Sequence, residues 1–140
     1  FTKAILKDKP IQVFNYGNHQ RDFTYIDDIV EGVIRVLDYP TKSNPEWSGE
    51  YHETGTSKAP WRVYNIGNNK PIDLMEFIKS IEKALGKNAK KEFVQLQPGD
   101  VLDTYADIKE LGDQFSFKPS TTIEEGIANF IKWFVEYYKY

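Results

Sequence analysis

The sequence predicts a mixed α/β fold, and three observations predict it. Short runs with two-residue alternation are separated by longer runs with helical spacing, turn residues punctuate the joins, and the strands are few. Residues 1–7 read as the end of a helix with Phe1, Ala4 and Ile5 on one side, stopped by Lys9-Pro10. Ile11, Gln12, Val13 and Phe14 alternate as a short strand does, and Asn15-Tyr16-Gly17-Asn18 is a turn. Residues 21–25 read as a second short strand.

An amphipathic helix follows, with Ile26, Ile29, Val30, Val33, Ile34 and Leu37 on one stripe. Asp27 and Asp28 stand in its first turn, where the helix dipole favours acids. Residues 38–60 are polar and carry Pro40, Pro45 and Gly49, as a long surface loop does. Residues 62–66 are predicted as a strand, ended by Gly67-Asn68-Asn69. Asp73 with Glu76 has the spacing of a capping box, opening a helix on Leu74, Phe77, Ile78, Ile81 and Leu85 that Gly86 closes. A strand over 92–96 leads to the turn Pro98-Gly99-Asp100. Asp107 with Glu110 and Thr122 with Glu125 predict two more capped helices. The last runs to the terminus on Ile123, Ile127, Phe130, Ile131, Phe134 and Tyr138. So few strands make an incomplete sheet, and the first residue is Phe1, not Met. Both lead to the expectation that the sequence is a piece of a longer protein.

Composition narrows the classes. With 40% hydrophobic and 28% charged residues the chain is expected to fold as a globular domain. A net charge of −3 supplies no general attraction to nucleic acid or anionic membrane, so any phosphate site must be local. There is no cysteine, which excludes disulfides and thiolate metal sites and suits the cytoplasm. No apolar run is long enough for a membrane span, and no signal peptide is visible. His19 and His52 are the only histidines and lie far apart, so no metal site is expected.

Two short segments could carry binding chemistry. In Arg21-Asp22-Phe23, a strand delivers the side chain best shaped for two-pronged phosphate contact. Taken alone, a surface ion pair of Arg21 with Asp22 or Asp28 is the simpler reading. In Gln97-Pro98-Gly99-Asp100, a tight bend presents an amide and a carboxylate able to bond a phosphate, a hydroxyl or a diol. Taken alone, an ordinary turn with Asp100 bonded to its own backbone is simpler. Phe14 could stack on a base, although a core position is the commoner role for such an aromatic. The tail of Trp133, Phe134, Tyr137, Tyr138 and Tyr140 reads as a core-packing helix that frays at its end. Tyr105 and Lys109 have the spacing of a proton-transferring Tyr-Lys pair, but a predicted strand and a predicted helix cap separate them, so the match is accidental. No glycine-rich dinucleotide fingerprint occurs anywhere in the chain.

In order along the chain, Arg21-Asp22-Phe23-Thr24-Tyr25-Ile26-Asp27-Asp28, Val63-Tyr64-Asn65-Ile66-Gly67, Gln97-Pro98-Gly99-Asp100-Val101 and Thr104-Tyr105-Ala106-Asp107 resemble the extended short-chain dehydrogenase/reductase family. Phe117-Lys118-Pro119-Ser120-Thr121 and Glu124-Glu125-Gly126 are similar to it too. Within that family the run looks most like the UDP-glucuronate 4-epimerases of capsular polysaccharide biosynthesis. The resemblance implies that residues 1–140 are the C-terminal nucleotide-sugar-binding part of an NAD-dependent epimerase, with the Rossmann half absent. It further implies Gln12 and Phe14 at the uracil, Arg21 at the diphosphate, and Gln97 and Asp100 at phosphate and ribose. UDP-galactose 4-epimerases usually carry Arg where Gln97 stands, a departure that fits the glucuronate type. NAD and the catalytic Tyr-Lys pair would belong to the missing half, so no catalytic and no cofactor-binding residue is expected here. The implied partners are a UDP-sugar, the chain's own N-terminal Rossmann half and, for the parent, a second copy in a homodimer. A sugar-nucleotide dehydratase or decarboxylase of the same family, or a stand-alone sugar-nucleotide-binding module, are the other readings. Residues 21–37 and 63–66 are expected to pack on the absent half, leaving apolar surface bare in this chain.

Overall fold

The computed structural model describes residues 1–50 and 54–140; His52 lies outside them. Helix α1 spans Thr2–Leu6 and ends before Lys9-Pro10, as the sequence predicts. Strand β1, Ile11–Val13, buries Ile11 and Val13 and leaves Gln12 exposed. Phe14 no longer belongs to the strand. It opens a tight turn over Phe14–Gly17, where Asn15 and Tyr16 both take left-handed backbone, at φ 49° and 54°. The Asn15 amide donates to Asn18 O at 2.8 Å and closes the bend.

Strand β2 is only Gln20–Arg21, so the predicted strand over 21–25 is cut short. The physical reason is Asp22, whose carboxylate gathers backbone N–H groups from other segments and turns the chain out of the ladder. Helix α2, Ile26–Leu37, forms as predicted. Strand β3, Ile72–Asp73, leads into α3, Leu74–Leu85, which Gly86 closes in left-handed conformation at φ 61°. No capping box forms there, because the Asp73 carboxylate is taken by Gln20 Nε2 at 2.9 Å. Strand β4, Lys91–Phe93, starts one residue earlier than expected and ends three residues sooner. Helix α4 is Lys109–Phe115. Its predicted box also fails: Asp107 accepts from the nearby Lys109 N at 2.9 Å, and Glu110 pairs with Arg62 instead. Helix α5, Ile123–Tyr138, does carry its cap, with Thr122 Oγ1 accepting from Glu125 N at 3.2 Å.

Residues 62–66 form no strand; a single bridge joins Thr56 to Arg62. A strand needs a continuous neighbour, and among the described residues the pairing stops at that bridge, with Val63 N donating to Gly55 O at 2.8 Å. Val63 is 59% exposed.

Two small sheets result. Strands β1 and β4 pair in parallel, Ile11 opposite Lys91 and Val13 opposite Phe93. Strands β2 and β3 pair antiparallel, and Gln20 extends this sheet by bridging Asp103. The larger core joins Ile5, Ile11, Val13, Ile78, Ile81, Ile127 and Ile131, packing α3 and α5 against the β1–β4 pair. A second cluster of Ile108, Leu111 and Phe117 lies under α2 and α4. Burying each such side chain stabilises the fold by about 1.5–3 kcal/mol.

Helix α2 contributes little to either core. Its buried residues are Asp28 and Gly32, while Ile26, Val33, Ile34 and Leu37 are 55–75% exposed. The amphipathic stripe read from the sequence therefore faces outward. The aromatic tail departs from expectation in the same way. Ile127 and Ile131 enter the core, but Trp133, Tyr137 and Tyr138 stay exposed, with Trp133 stacked on Tyr137 and Tyr138 edge-on to Tyr137.

Candidate functional site

Beyond their carboxyl ends the two parallel strands open at the same end of the sheet. There Val94 N donates to Val13 O at 3.0 Å and Tyr16 N donates to Val94 O at 3.1 Å. The exits of β1 and β4 are thus laced together, at the kind of location where α/β sheets commonly bind ligands. Phe14 emerges there half-buried, and β4 continues into the bend at Gln97.

That bend is tight because Asp100 N donates to Gln97 O at 3.1 Å while Gly99 takes φ 84°. A positive φ at the third residue after Pro at the second is the geometry that favours glycine. After it, residues 100–104 run beside β2, with Gln20 N donating to Leu102 O at 3.1 Å and Thr104 N donating to Gln20 O at 3.2 Å.

This pairing brings Arg21 to Asp100. Arg21 Nη2 lies 3.3 Å from Asp100 Oδ1 and also donates to Val101 O at 2.8 Å. Nη1 donates to Gln20 O at 2.9 Å and Leu102 O at 2.7 Å. Both side chains stay part-exposed, at 24% and 32%. The simpler sequence reading, Arg21 paired with Asp22 or Asp28, is overturned. Both aspartates are occupied with backbone. Asp22 accepts from Asn68 N and Asn69 N at 3.1 Å and from Ala106 N at 3.0 Å. Asp28, 3% exposed, accepts from Ser120 N at 3.1 Å and Thr121 N at 3.2 Å. The bend reading also changes, since Asp100 turns to Arg21 across the fold.

Of the five predicted site residues, Arg21 and Asp100 meet directly, and Gln97 stands at the start of the same bend as Asp100. Gln12 lies exposed in the middle of β1, and Phe14 follows that strand at the shared exit of the β1–β4 sheet. The sequence missed His19. It is 4% exposed, and its Nδ1 lies 3.1 Å from Leu102 O. Nε2 has no hydrogen-bond partner and faces Asp100 Oδ2 at 3.7 Å. A lone histidine in a polar run carries no periodic signal that would reveal this. A cavity of about 550 Å3 beside it is lined by Gly17, Asn18, His19, Gln20, Asp73, Met75 and Asp103.

Tyr105 lies outside α4 and Lys109 pairs with Asp113, so the two form no proton-transfer couple. Among the described residues no group of three or more His, Cys, Asp or Glu side chains could hold a metal ion, and no helix is long and apolar enough to cross a membrane. A dinucleotide cradle does not fit this chain either. Helices α2, α3 and α5 start behind Tyr25, Asp73 and Thr122, with no glycine-rich strand exit at any of them.

The architecture is that of an α/β segment of the extended short-chain dehydrogenase/reductase fold. Residues 1–67 match the NAD dependent epimerase/dehydratase family. Over 139 residues, 99% of this chain and 42% of its relative, the sequence is 53% identical to Protein CapI of Staphylococcus aureus. It is 38% identical over 140 residues to a probable UDP-glucuronate 4-epimerase of Rhizobium meliloti, covering 99% of this chain and 41% of that protein. The crystal structure of UDP-glucuronic acid 4-epimerase from Bacillus cereus in complex with UDP-glucuronic acid and NAD superposes with a TM-score of 0.71 at 29% identity, covering 95% of this chain and 38% of that one. The family match is carried by residues 1–67, and the similarity to these relatives extends over nearly the whole chain. It spans about two-fifths of the length of the curated relatives it matches.

Proposed function

We propose that residues 1–140 are the C-terminal, nucleotide-sugar-binding part of an NAD-dependent UDP-sugar 4-epimerase of the glucuronate type, acting in capsular or cell-surface polysaccharide synthesis in the cytoplasm. The observation that carries this reading is the meeting of Arg21 and Asp100, 79 residues apart in sequence, at 3.3 Å where the Pro98-Gly99 bend leads into the segment beside β2. A guanidinium and a carboxylate so placed suit a ligand that joins a diphosphate to a diol. The contact to Asp100 is the longest of the four Arg21 hydrogen bonds. It is the one that a diphosphate and a ribose divide between them: Arg21 Nη2 turns to phosphate, and Asp100 turns to the hydroxyls. Gln97 contacts the phosphate beside it, while Gln12 and Phe14 meet the uracil at the neighbouring sheet.

NAD supplies hydride chemistry at the sugar's C4 in the parent enzyme, held by residues outside this chain. The residues present here anchor the UDP moiety, so that binding energy is applied to positioning. The stripe Ile26, Val30, Val33, Ile34 and Leu37 packs on the Rossmann half, and the parent is a homodimer. That bare stripe argues against a stand-alone module, which would cover it.

Calorimetric titration with UDP and UDP-glucuronate, beside gel filtration, tests the reading. Binding of UDP that falls at least about tenfold in Asp100→Ala supports it, since a hydrogen bond to a charged group is worth about 1.5–3 kcal/mol. Turnover of UDP-glucuronate by this chain with NAD alone would overturn its assignment as a non-catalytic part.

A further inference from the structure

We propose that His19 is a positioning residue for Asp100, and that the site takes up a proton on His19 as it grips a nucleotide diphosphate. The inference rests on the reading of Asp100 as a ligand-binding carboxylate and deepens it.

The geometry fixes the histidine's tautomer. Leu102 O can only accept, so His19 Nδ1, 3.1 Å away, carries a hydrogen. In the neutral ring Nε2 is then a bare lone pair, and at 3.7 Å it faces another acceptor, Asp100 Oδ2. Buried and without a hydrogen-bond partner, this nitrogen changes from repelling the carboxylate to attracting it when the ring becomes an imidazolium. The bond to Leu102 O does not by itself explain the residue. That carbonyl also accepts from Gln20 N at 3.1 Å and Arg21 Nη1 at 2.7 Å. What His19 alone offers is an ionisable nitrogen aimed at the carboxylate.

The charged groups around the ring are few. Asp100 faces it directly and Arg21 bonds the other carboxylate oxygen. Asp73, on the β3 edge, and Asp103, on the 100–104 segment, line the cavity that His19 also lines. One carboxylate thus faces the ring directly, a guanidinium holds that carboxylate from its other side, and two further carboxylates line the adjoining cavity. When Arg21 Nη2 turns to a diphosphate, Asp100 loses its cation. The imidazolium is then the group in reach that can hold Asp100 Oδ2, leaving Oδ1 to the diol. Ligand binding and protonation of His19 favour each other through that shared carboxylate.

Two measurements on the protein test this, one of them without ligand. In proton NMR at mildly acidic pH, His19 should show an Nε2–H signal slowed in exchange with water, lost in Asp100→Ala. Its absence from the wild type overturns the proposal whether or not UDP binds. In titrations with UDP, affinity should weaken as pH is raised, because only the protonated ring attracts Asp100 Oδ2. His19→Gln, which can still bond Leu102 O, should flatten that profile and bind about tenfold more weakly at the acidic end, while Asp100→Ala/His19→Gln binds no worse than Asp100→Ala alone. Equal profiles in wild type and His19→Gln overturn the coupling. A wild type that shows the NMR signal but binds no UDP overturns the function reading, and the ligand half of this proposal with it.

Discussion

Replacing Asp28 by alanine should be the most damaging single substitution outside the apolar core. Its carboxylate, 3% exposed, accepts from Ser120 N and Thr121 N and so ties the first turn of α2 to the segment leading into α5. Removing it leaves two part-buried backbone donors without an acceptor, at about 1–3 kcal/mol each. The relief of no longer burying a carboxylate offsets part of this, giving a net loss of about 2–4 kcal/mol out of the 5–15 kcal/mol typical of a domain. With a urea dependence of about 1–3 kcal/mol/M for a chain of this size, the midpoint should fall by about 1–2 M. Asp28→Asn keeps one acceptor but points an amide N–H at a backbone N–H, so its loss should be nearly as large. Urea unfolding followed by far-UV dichroism measures both. A midpoint within about 0.3 M of wild type in Asp28→Ala would refute the clamp, because that shift is below the cost of one unpaired donor.

Gly67→Ala should cost about 1–3 kcal/mol, read in the same unfolding assay, because a Cβ there would lie 2.5 Å from the Ala106 Cβ and 2.9 Å from Asp22 Oδ2. For Glu82, burial raises the carboxyl's pKa, but the Lys91 ammonium and the Ala89 N–H outweigh it and hold the group below its ordinary value of 4.5. Its stabilisation is therefore complete above that value and disappears as pH falls through the lower folded one, so Glu82→Gln should cost about 1–2 kcal/mol near neutrality and converge with wild type in acid unfolding curves. Val33→Lys with Leu37→Lys should reduce binding of an apolar fluorescent dye without lowering the melting temperature, since both side chains already face outward at 58% and 75% exposure.

Helix positions were legible because each stripe or cap is a local pattern: α2 matches its expected span, and Gly86 and Thr122 punctuate as read. What local pattern does not encode is which partner a polar side chain finds. Asp73 and Asp107 have cap spacing, yet Gln20 and Lys109 N take them. Asp28 reads as a dipole-favoured helix acid and turns out to bond a segment 92 residues away. The strand over 62–66 failed for a related reason: its residue types suit a sheet, but pairing depends on a continuous neighbour that the described residues do not provide. At the site, the meeting of Arg21 with Asp100 was foreseeable as a shared destination for two motifs. The part played by His19 was not, because burial and the aim of one ring nitrogen are properties of the folded chain alone.

Asp22 carries a consequence beyond its own bonds. One carboxylate fastens the bend at 68–69 and the stretch at 106 to the residue adjoining Arg21. Those three strips of backbone behave as a single plate riveted at one point. A change in the bend therefore also shifts the residue adjoining Arg21, so sequence drift there is constrained from outside the loop.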